Sequence, residues 1–280
     1  MKTLKDRYIL NNGIGIPCVG FGTWQTPDGE VALASVLEAL EAGYRHIDTA
    51  AYYFNEESIG KAIRESEVSR EDLFITTKLW NGDRGYDTTL RAFEKSMANL
   101  GLEYLDLYLI HWPAAKGDWQ KINSDTWAAF EKLYEDGRVR AIGVSNFKPH
   151  HLEPLMDKAR VSPMVNQIEF HPGFMQMETV EFCRENEIIV EAWSPLGTGK
   201  VLSNDTLKDI AARYGKSVAQ LCIRWCLQHE TLPLPKSVTP ERIRENAEVF
   251  DFSIEEKDME TIDNLPYIGG SGLDPDKVNF

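Results

Sequence analysis

The chain is short of cysteine, short of positive charge and without a long hydrophobic run. Its 280 residues include only Cys18, Cys183, Cys222 and Cys226. Four cysteines in a chain of this length are too few for a disulfide framework, so buried free thiols in a reducing cytosol are expected. Cys222 and Cys226 stand four apart in a helical pattern, but no further Cys/His pair completes a zinc site. Lys and Arg number 30 against 44 Asp and Glu, a net charge of −14. That deficit argues against nucleic-acid binding, which needs a basic face, and against an anionic membrane surface. An anionic ligand would need a local basic pocket. No apolar stretch approaches the roughly 18 residues of a transmembrane helix. The first eight residues, MKTLKDRY, lack the apolar centre of a signal peptide. A cytoplasmic monomer is expected.

The common nucleotide-binding loops are missing too. Gly13-Ile-Gly15 lacks a third glycine, Gly20-Phe-Gly22 runs on into Thr23-Trp24-Gln25, and Gly197-Thr-Gly199-Lys200 lacks the Walker spacing. A Rossmann dehydrogenase or a P-loop enzyme is therefore disfavoured.

What is present is a regular alternation. Residues 8–17 read as a hairpin turning at Asn11-Asn12-Gly13. Apolar runs follow, ending at Asp48, Lys78, Ile110, Val144, Ile168, Trp193 and Leu234, after a first strand-like run at 19–22. Amphipathic segments separate them, near 30–42, 55–65, 87–100, 124–135, 149–158, 177–186, 205–214, 218–229 and 240–249. One more helix is expected at 254–264, followed by a polar, Gly-rich tail. Apolar strands alternating with helices specify a parallel sheet covered on its outside. Eight such units favour an α/β fold of the (β/α)8 TIM-barrel type, with an N-terminal hairpin, extra helices and a short C-terminal loop. Barrels of roughly 250 residues form one domain, and no linker interrupts residues 1–280.

Four polar residues fall at the ends of successive strand units. Lys78 follows Asp48 by 30 positions, His111 follows Lys78 by 33, and Tyr53 stands just beyond Asp48. A strand plus crossover takes roughly 30 residues, so the spacing gathers these groups at one edge of the sheet, where parallel α/β enzymes build their sites. A carboxylate, an ammonium, a phenol and an imidazole together point to proton transfer at a carbonyl or alcohol. Taken singly, each has a structural reading: an ion pair, a packed tyrosine, a satisfied core histidine.

Three segments carry a family resemblance. Gly43-Tyr-Arg-His-Ile-Asp-Thr-Ala50 with Glu56 and Ile59-Gly60, Leu105–Pro113, and Leu234-Pro-Lys-Ser-Val238 with Arg242, Glu245 and Asn246 resemble, in order and spacing, the signatures of the aldo-keto reductase family. The likeness spans essentially the whole chain and is closest to bacterial members similar to 2,5-diketo-gluconate and glyoxal/methylglyoxal reductases. It implies NADPH-dependent reduction of small aldehydes, ketones, dicarbonyls or keto-sugars. Tyr53 would then be the proton donor, with Lys78 beside its phenol, Asp48 paired to Lys78, and His111 orienting the carbonyl.

The physics allows those roles. Free tyrosine, with pKa about 10, is a weak acid near neutrality. An ammonium about 4 Å away at an effective dielectric near 20 is worth about 4 kcal/mol, or about 3 pKa units. Burial opposes this, so a smaller net downward shift is expected.

On the cofactor side, Lys236, Ser237 and Arg242, where the last strand hands over to a helix, suit an adenosine 2′-phosphate. By resemblance Glu245 and Asn246 approach the adenine. Ser145, Asn146 and Gln167 are candidates for the nicotinamide carboxamide. Trp193, where many relatives carry Tyr, can still stack on the ring. Ser194 and Leu196, in the 194–199 loop, and Gly22 complete the implied NADPH/NADP+ site. Trp24, Trp80 and Trp112 follow strand ends and are candidates for an aromatic pocket wall. No metal ligand set is read: the adjacent His150 and His151 are expected to point apart. Two rivals stand beside the reductase. One is a non-catalytic barrel that holds NADPH as a sensor or structural partner. The other is a Schiff-base lyase using Lys78, which would need a neutral amine that Asp48 opposes.

Overall fold

The protein, a computed structural model, is described over residues 1–114 and 116–278. Ala115 and the last two residues of the 269–280 loop lie outside the described residues. Strands β1 (Arg7–Ile9) and β2 (Gly15–Pro17) form the expected antiparallel hairpin, with Arg7 opposite Pro17. Gly13 takes φ 85° in its turn. The hairpin lies against the N-terminal ends of the barrel strands, where Asn11 donates to Pro163 O and Asn12 to Arg140 O.

The barrel then follows in chain order. It runs β3 (Phe21–Gly22), α1 (Glu30–Glu41), β4 (His46–Asp48), α2 (Glu56–Glu65), β5 (Phe74–Leu79), α3 (Tyr86–Leu100), β6 (Leu105–Ile110) and α4 (Trp119–Glu135). Next come β7 (Val139–Ser145), α5 (Pro149–Met156), β8 (Val165–Glu169), α6 (Met177–Glu185), β9 (Ile189–Trp193), α7 (Asp205–Arg213), α8 (Val218–Gln228), β10 (Leu232–Leu234), α9 (Pro240–Ala247) and α10 (Glu256–Asp263). Strands β3 to β10 are parallel and neighbour one another in sequence order. The seam between β10 and β3 is spanned by two backbone hydrogen bonds, Gly20 N–H to Pro233 O and Gly22 N–H to Pro235 O, both 3.0 Å. A Cβ on Gly22 would stand 3.1 Å from Leu234 O, so this glycine lets the two edges meet.

The helix boundaries differ from the expected ones in one instructive place. Helix α4 begins at Trp119, five positions before the expected 124. Its first turn carries Trp119 and Ile122, but Trp119 is only half-buried and Ile122 is exposed. The turn is fixed by Asp118, whose carboxylate accepts from the Lys121 N–H, the usual N-cap chemistry. Strand β8 runs one residue beyond the expected Ile168, to Glu169, which leaves Gln167 mid-strand inside the barrel. No helix among the described residues is long and apolar enough to cross a membrane.

The outer layer packs closely. Gly60, in the middle of α2, faces the C-terminal end of α3, where a Cβ would meet Leu100 O at 2.0 Å. The four cysteines are buried and unpaired. The barrel lumen, by contrast, is polar: His46, Asp48, Thr76, Lys78, Gln167 and Glu191 are all buried.

Candidate active site

Asp48 is the last residue of β4, and Lys78 lies near the end of the neighbouring β5. The Lys78 Nζ donates to Asp48 Oδ1 at 2.6 Å, to Thr49 O at 2.9 Å and to the Tyr53 hydroxyl at 3.2 Å. Tyr53 reaches this point because a one-turn helix, Ala51–Tyr53, follows β4. His111 follows β6 directly, and its ring stands 5.6 Å, centroid to centroid, from that of Tyr53. The four groups singled out by spacing therefore meet at the C-terminal edge of the barrel.

Their electrostatics can be read from burial and neighbours. Burial alone would depress the Lys78 ammonium. Asp48 and Tyr53 more than offset this, and its pKa is raised. The Tyr53 phenol is raised as well, because burial outweighs the opposing pull of Lys78, and Asp48 adds to the rise. This corrects the expected net downward shift: the ammonium's charge is already largely matched by Asp48 at closer range. The hydroxyl thus keeps its proton at neutral pH and is available as a donor. Burial, then Lys78 and Arg84, hold His111 well below the ordinary histidine range, so it is neutral. Arg84 is anchored by the carbonyls of Trp112 and Pro113.

Beyond this group lies a second cluster. Ser145 Oγ donates to Gln167 O, and Asn146 Nδ2 donates to His111 O at 3.0 Å. The Trp193 indole N–H donates to Asn146 Oδ1 at 2.8 Å. Asn146 takes φ 65°, a left-handed turn that asparagine tolerates. The half-buried Trp193 closes β9 and borders a cavity of about 510 Å³ shared with Lys148, Glu169, Tyr267 and Asp274.

Among the aromatic candidates, Trp24 lies 4.8 Å from the Tyr53 ring and Trp80 lies 5.4 Å from His111, centroid to centroid. Trp112 is buried and packs edge-on against Trp193 instead. Tyr52, with no signal of its own in the sequence, stacks on Trp80 at 3.6 Å and lies parallel to Trp24, joining them into one wall.

Lys236 and Ser237 follow β10, and Arg242 lies in the first turn of α9. Lys236 donates only to Gln25 O among the described bonds, and burial lowers its pKa. Neither Lys236 nor Arg242 pairs with a carboxylate among the described residues, although the chain carries a net charge of −14. Two unneutralised cations and the N–H groups of a helix start fit an anionic phosphate. Glu245 and Asn246 lie one turn further along α9. Ser194 Oγ accepts from Thr198 N–H, curling the loop that contains Leu196, and Lys200 ties this loop to Gly270 O of the tail.

His150 and His151 do not point apart as expected. Both Nε2 atoms reach Asp276 Oδ1, at 2.9 and 3.2 Å, because the C-terminal tail lays one carboxylate between them. The His151 Nδ1 accepts from the Lys148 backbone N–H, so its proton sits on Nε2. The Lys148 ammonium holds Asp274 and Asp276, each at 2.7 Å. A protonated Nε2 beside an ammonium is the chemistry of a latch on the tail and is unfavourable for a metal ion.

Residues 18–266 match the model of the aldo/keto reductase family. The chain is 52% identical over 278 residues to the glyoxal reductase of Bacillus subtilis (strain 168), covering 99% of each chain. It is 42% identical to the methylglyoxal reductase DkgA of Escherichia coli (strain K12), covering 96% of each. A crystal structure of a Gox0644 mutant in complex with NADPH superposes with a TM-score of 0.90, at 42% identity and 98% coverage of both chains.

Proposed function

The chain belongs to the aldo/keto reductase family, and from that premise we propose that it reduces small aldehydes and dicarbonyls, of the glyoxal and methylglyoxal kind, with NADPH. The observation that carries this reading is the Lys78 ammonium held between Asp48 and the Tyr53 hydroxyl. The bound cofactor would supply hydride to the carbonyl carbon. The oxygen then gains negative charge, and Tyr53 would donate the proton it retains at neutral pH. Neutral His111 would donate a hydrogen bond to the same oxygen and orient it. Lys78, kept charged by Asp48, stabilises the phenolate left behind on Tyr53.

Lys236, Ser237 and Arg242 would hold the 2′-phosphate, with Glu245 and Asn246 toward the adenine and Ser194 and Leu196 along the pyrophosphate. Ser145, Asn146, Gln167 and Trp193 would face the nicotinamide. The wall of Trp24, Tyr52 and Trp80 beside Tyr53 favours a small, planar carbonyl over a bulky one. All of these groups lie on one barrel, so a monomer suffices. The raised pKa of Lys78 opposes the Schiff-base alternative, which needs a free amine.

The test is NADPH oxidation with a panel of carbonyls, scored as kcat/KM and repeated with NADH. Glyoxal and methylglyoxal should rank high, and Tyr53→Phe should lower kcat by at least about a hundredfold while NADPH still binds. Wild-type turnover in Tyr53→Phe would refute the proton-donor role. NADPH binding without oxidation of any carbonyl would favour the sensor reading.

A further inference from the structure

Glu191 is wholly buried in the lumen, the third residue of β9, and belongs to none of the family signatures recognised in the sequence. Its Oε2 accepts from Gln167 Nε2 at 2.8 Å. The same Gln167 nitrogen donates to Asp48 Oδ2 at 2.9 Å. Asp48 Oδ1 in turn accepts from Lys78, which donates to Tyr53. An unbroken chain of hydrogen bonds thus crosses the barrel from β9 through β8 and β4 to β5 and ends on the phenol.

The chemistry of this chain is directional. A primary amide has two N–H bonds on one end and only an acceptor on the other. Asp48, paired with the Lys78 ammonium, can only accept, so Gln167 turns its nitrogen toward it, and Glu191 Oε2 takes the second N–H. Remove Glu191 and one buried N–H loses its acceptor, the amide loses its lock, and Asp48 loses a fixed partner.

We propose that Glu191 is a positioning residue for carbonyl reduction: it locks the Gln167 amide, which holds Asp48 so that the Lys78 ammonium stays on the Tyr53 hydroxyl. The inference rests on the reading of the site given above and names a residue through which that site is kept in register.

A second property follows from its surroundings. The groups facing Glu191 are His46 and Asp48 from β4, Lys78 from β5 and Gln167 from β8; β10 sets only Leu232 beside it. His46 Nε2 stands 3.7 Å from Glu191 Oε1 and bonds Thr76 instead. Burial holds His46 neutral, at about 3. Burial, reinforced by Asp48, pushes the Glu191 carboxyl up to about 8. As an acid Glu191 adds no charge to the lumen. On ionising it places a second anion beside Asp48, which makes the Tyr53 hydroxyl a weaker acid.

The experiment is steady-state NADPH oxidation with methylglyoxal from about pH 6 to about pH 10, on wild type, Glu191→Gln and Glu191→Leu. NADPH affinity by fluorescence and melting temperature are measured alongside. Glu191→Leu is expected to lose about tenfold or more in kcat, with KM for methylglyoxal within about twofold of wild type. Glu191→Gln, which keeps an acceptor but cannot ionise, should recover most of that loss and lack the decline of kcat expected of wild type as pH rises through about 8. A folded Glu191→Leu with wild-type kcat overturns the proposal, as does a Glu191→Gln profile that keeps the decline. If Glu191→Leu does not fold, the Glu191→Gln profile alone decides. A wild type inactive on every carbonyl overturns the reading of the site itself; an active wild type with indifferent Glu191 variants overturns only the positioning role.

Discussion

Lys78 donates to the Tyr53 hydroxyl at 3.2 Å, and it does so from a position where every other proton on its nitrogen is already committed. An ammonium has three N–H donors; Asp48 and Thr49 O take two, and the third can only face Tyr53. The pairing is therefore set by the barrel wall before any substrate arrives. Lys78→Met should lower kcat by about 10²–10⁴-fold and also destabilise the fold by about 3 kcal/mol, because Asp48 is left buried beside no cation. Denaturant unfolding together with NADPH kinetics checks both. Loss of activity at unchanged stability would mean that Asp48 finds another cation.

The cofactor end separates cleanly from the chemistry. Lys236 and Arg242 stand at the start of α9 and make no ion pair among the described residues. Each charge-assisted contact to a phosphate is worth about 1.5–3 kcal/mol. Lys236→Ala with Arg242→Ala should therefore raise KM for NADPH by about tenfold or more while leaving kcat/KM with NADH nearly unchanged. Equal losses with both cofactors would show that the two cations act on something other than a 2′-phosphate.

Much of this site was legible because strand ends recur at a fixed period. Asp48, Lys78 and His111 need only that period to be placed together. Glu191 was not legible in the same way. It precedes Trp193 by two positions and shares its face of β9, but nothing local says that this face meets Asp48, which lies on a strand reached only by closing the barrel. Gln167, which joins them, is 119 positions from Asp48. The direction of the Tyr53 shift was equally hidden. Proximity to Lys78 was visible in the spacing, whereas the depth of burial that outweighs it depends on side chains from several strands. The early start of α4 is hidden because the polar Gln120, Lys121, Asn123 and Ser124 dilute Trp119 and Ile122, and the cap at Asp118 is what marks it.

Glu191 also makes the fold's stability depend on pH. Its folded-state pKa of about 8 lies above the ordinary 4.5. The folded protein therefore holds a proton that the unfolded chain releases between those values. This group's contribution is fully present below about pH 4.5 and is lost as pH rises through about 8. Glu191→Gln has no such proton to lose. Its melting temperature relative to wild type should climb with pH across this interval and level off above it, by at least about 2–4 °C in all. A difference that is flat with pH would mean that the carboxyl is not protonated in the fold.

Gly60 belongs to the first family signature, yet it touches none of the catalytic groups. In an exposed helix interior, replacing glycine by alanine stabilises by about 0.5–1 kcal/mol. Here the sign should reverse. A Cβ at Gly60 would lie 2.0 Å from Leu100 O and 2.7 Å from Leu100 Cα, and both are backbone atoms that cannot rotate away. Helices α2 and α3 would have to separate. Arg64, which donates to the same carbonyl at 2.6 Å, would lose its bond in the process. Overpacking of this kind typically costs about 1–3 kcal/mol, to which a loosened Arg64 contact adds. Gly60→Ala should thus lower the unfolding midpoint in urea, while the protein that remains folded keeps wild-type kcat with methylglyoxal, because the change lies between two helices and touches none of the catalytic groups. A neutral or stabilised Gly60→Ala would show that the two helices can move apart at little cost. A fall in kcat at full occupancy of the folded state would tie their spacing to the strand ends that carry Tyr53 and Lys78.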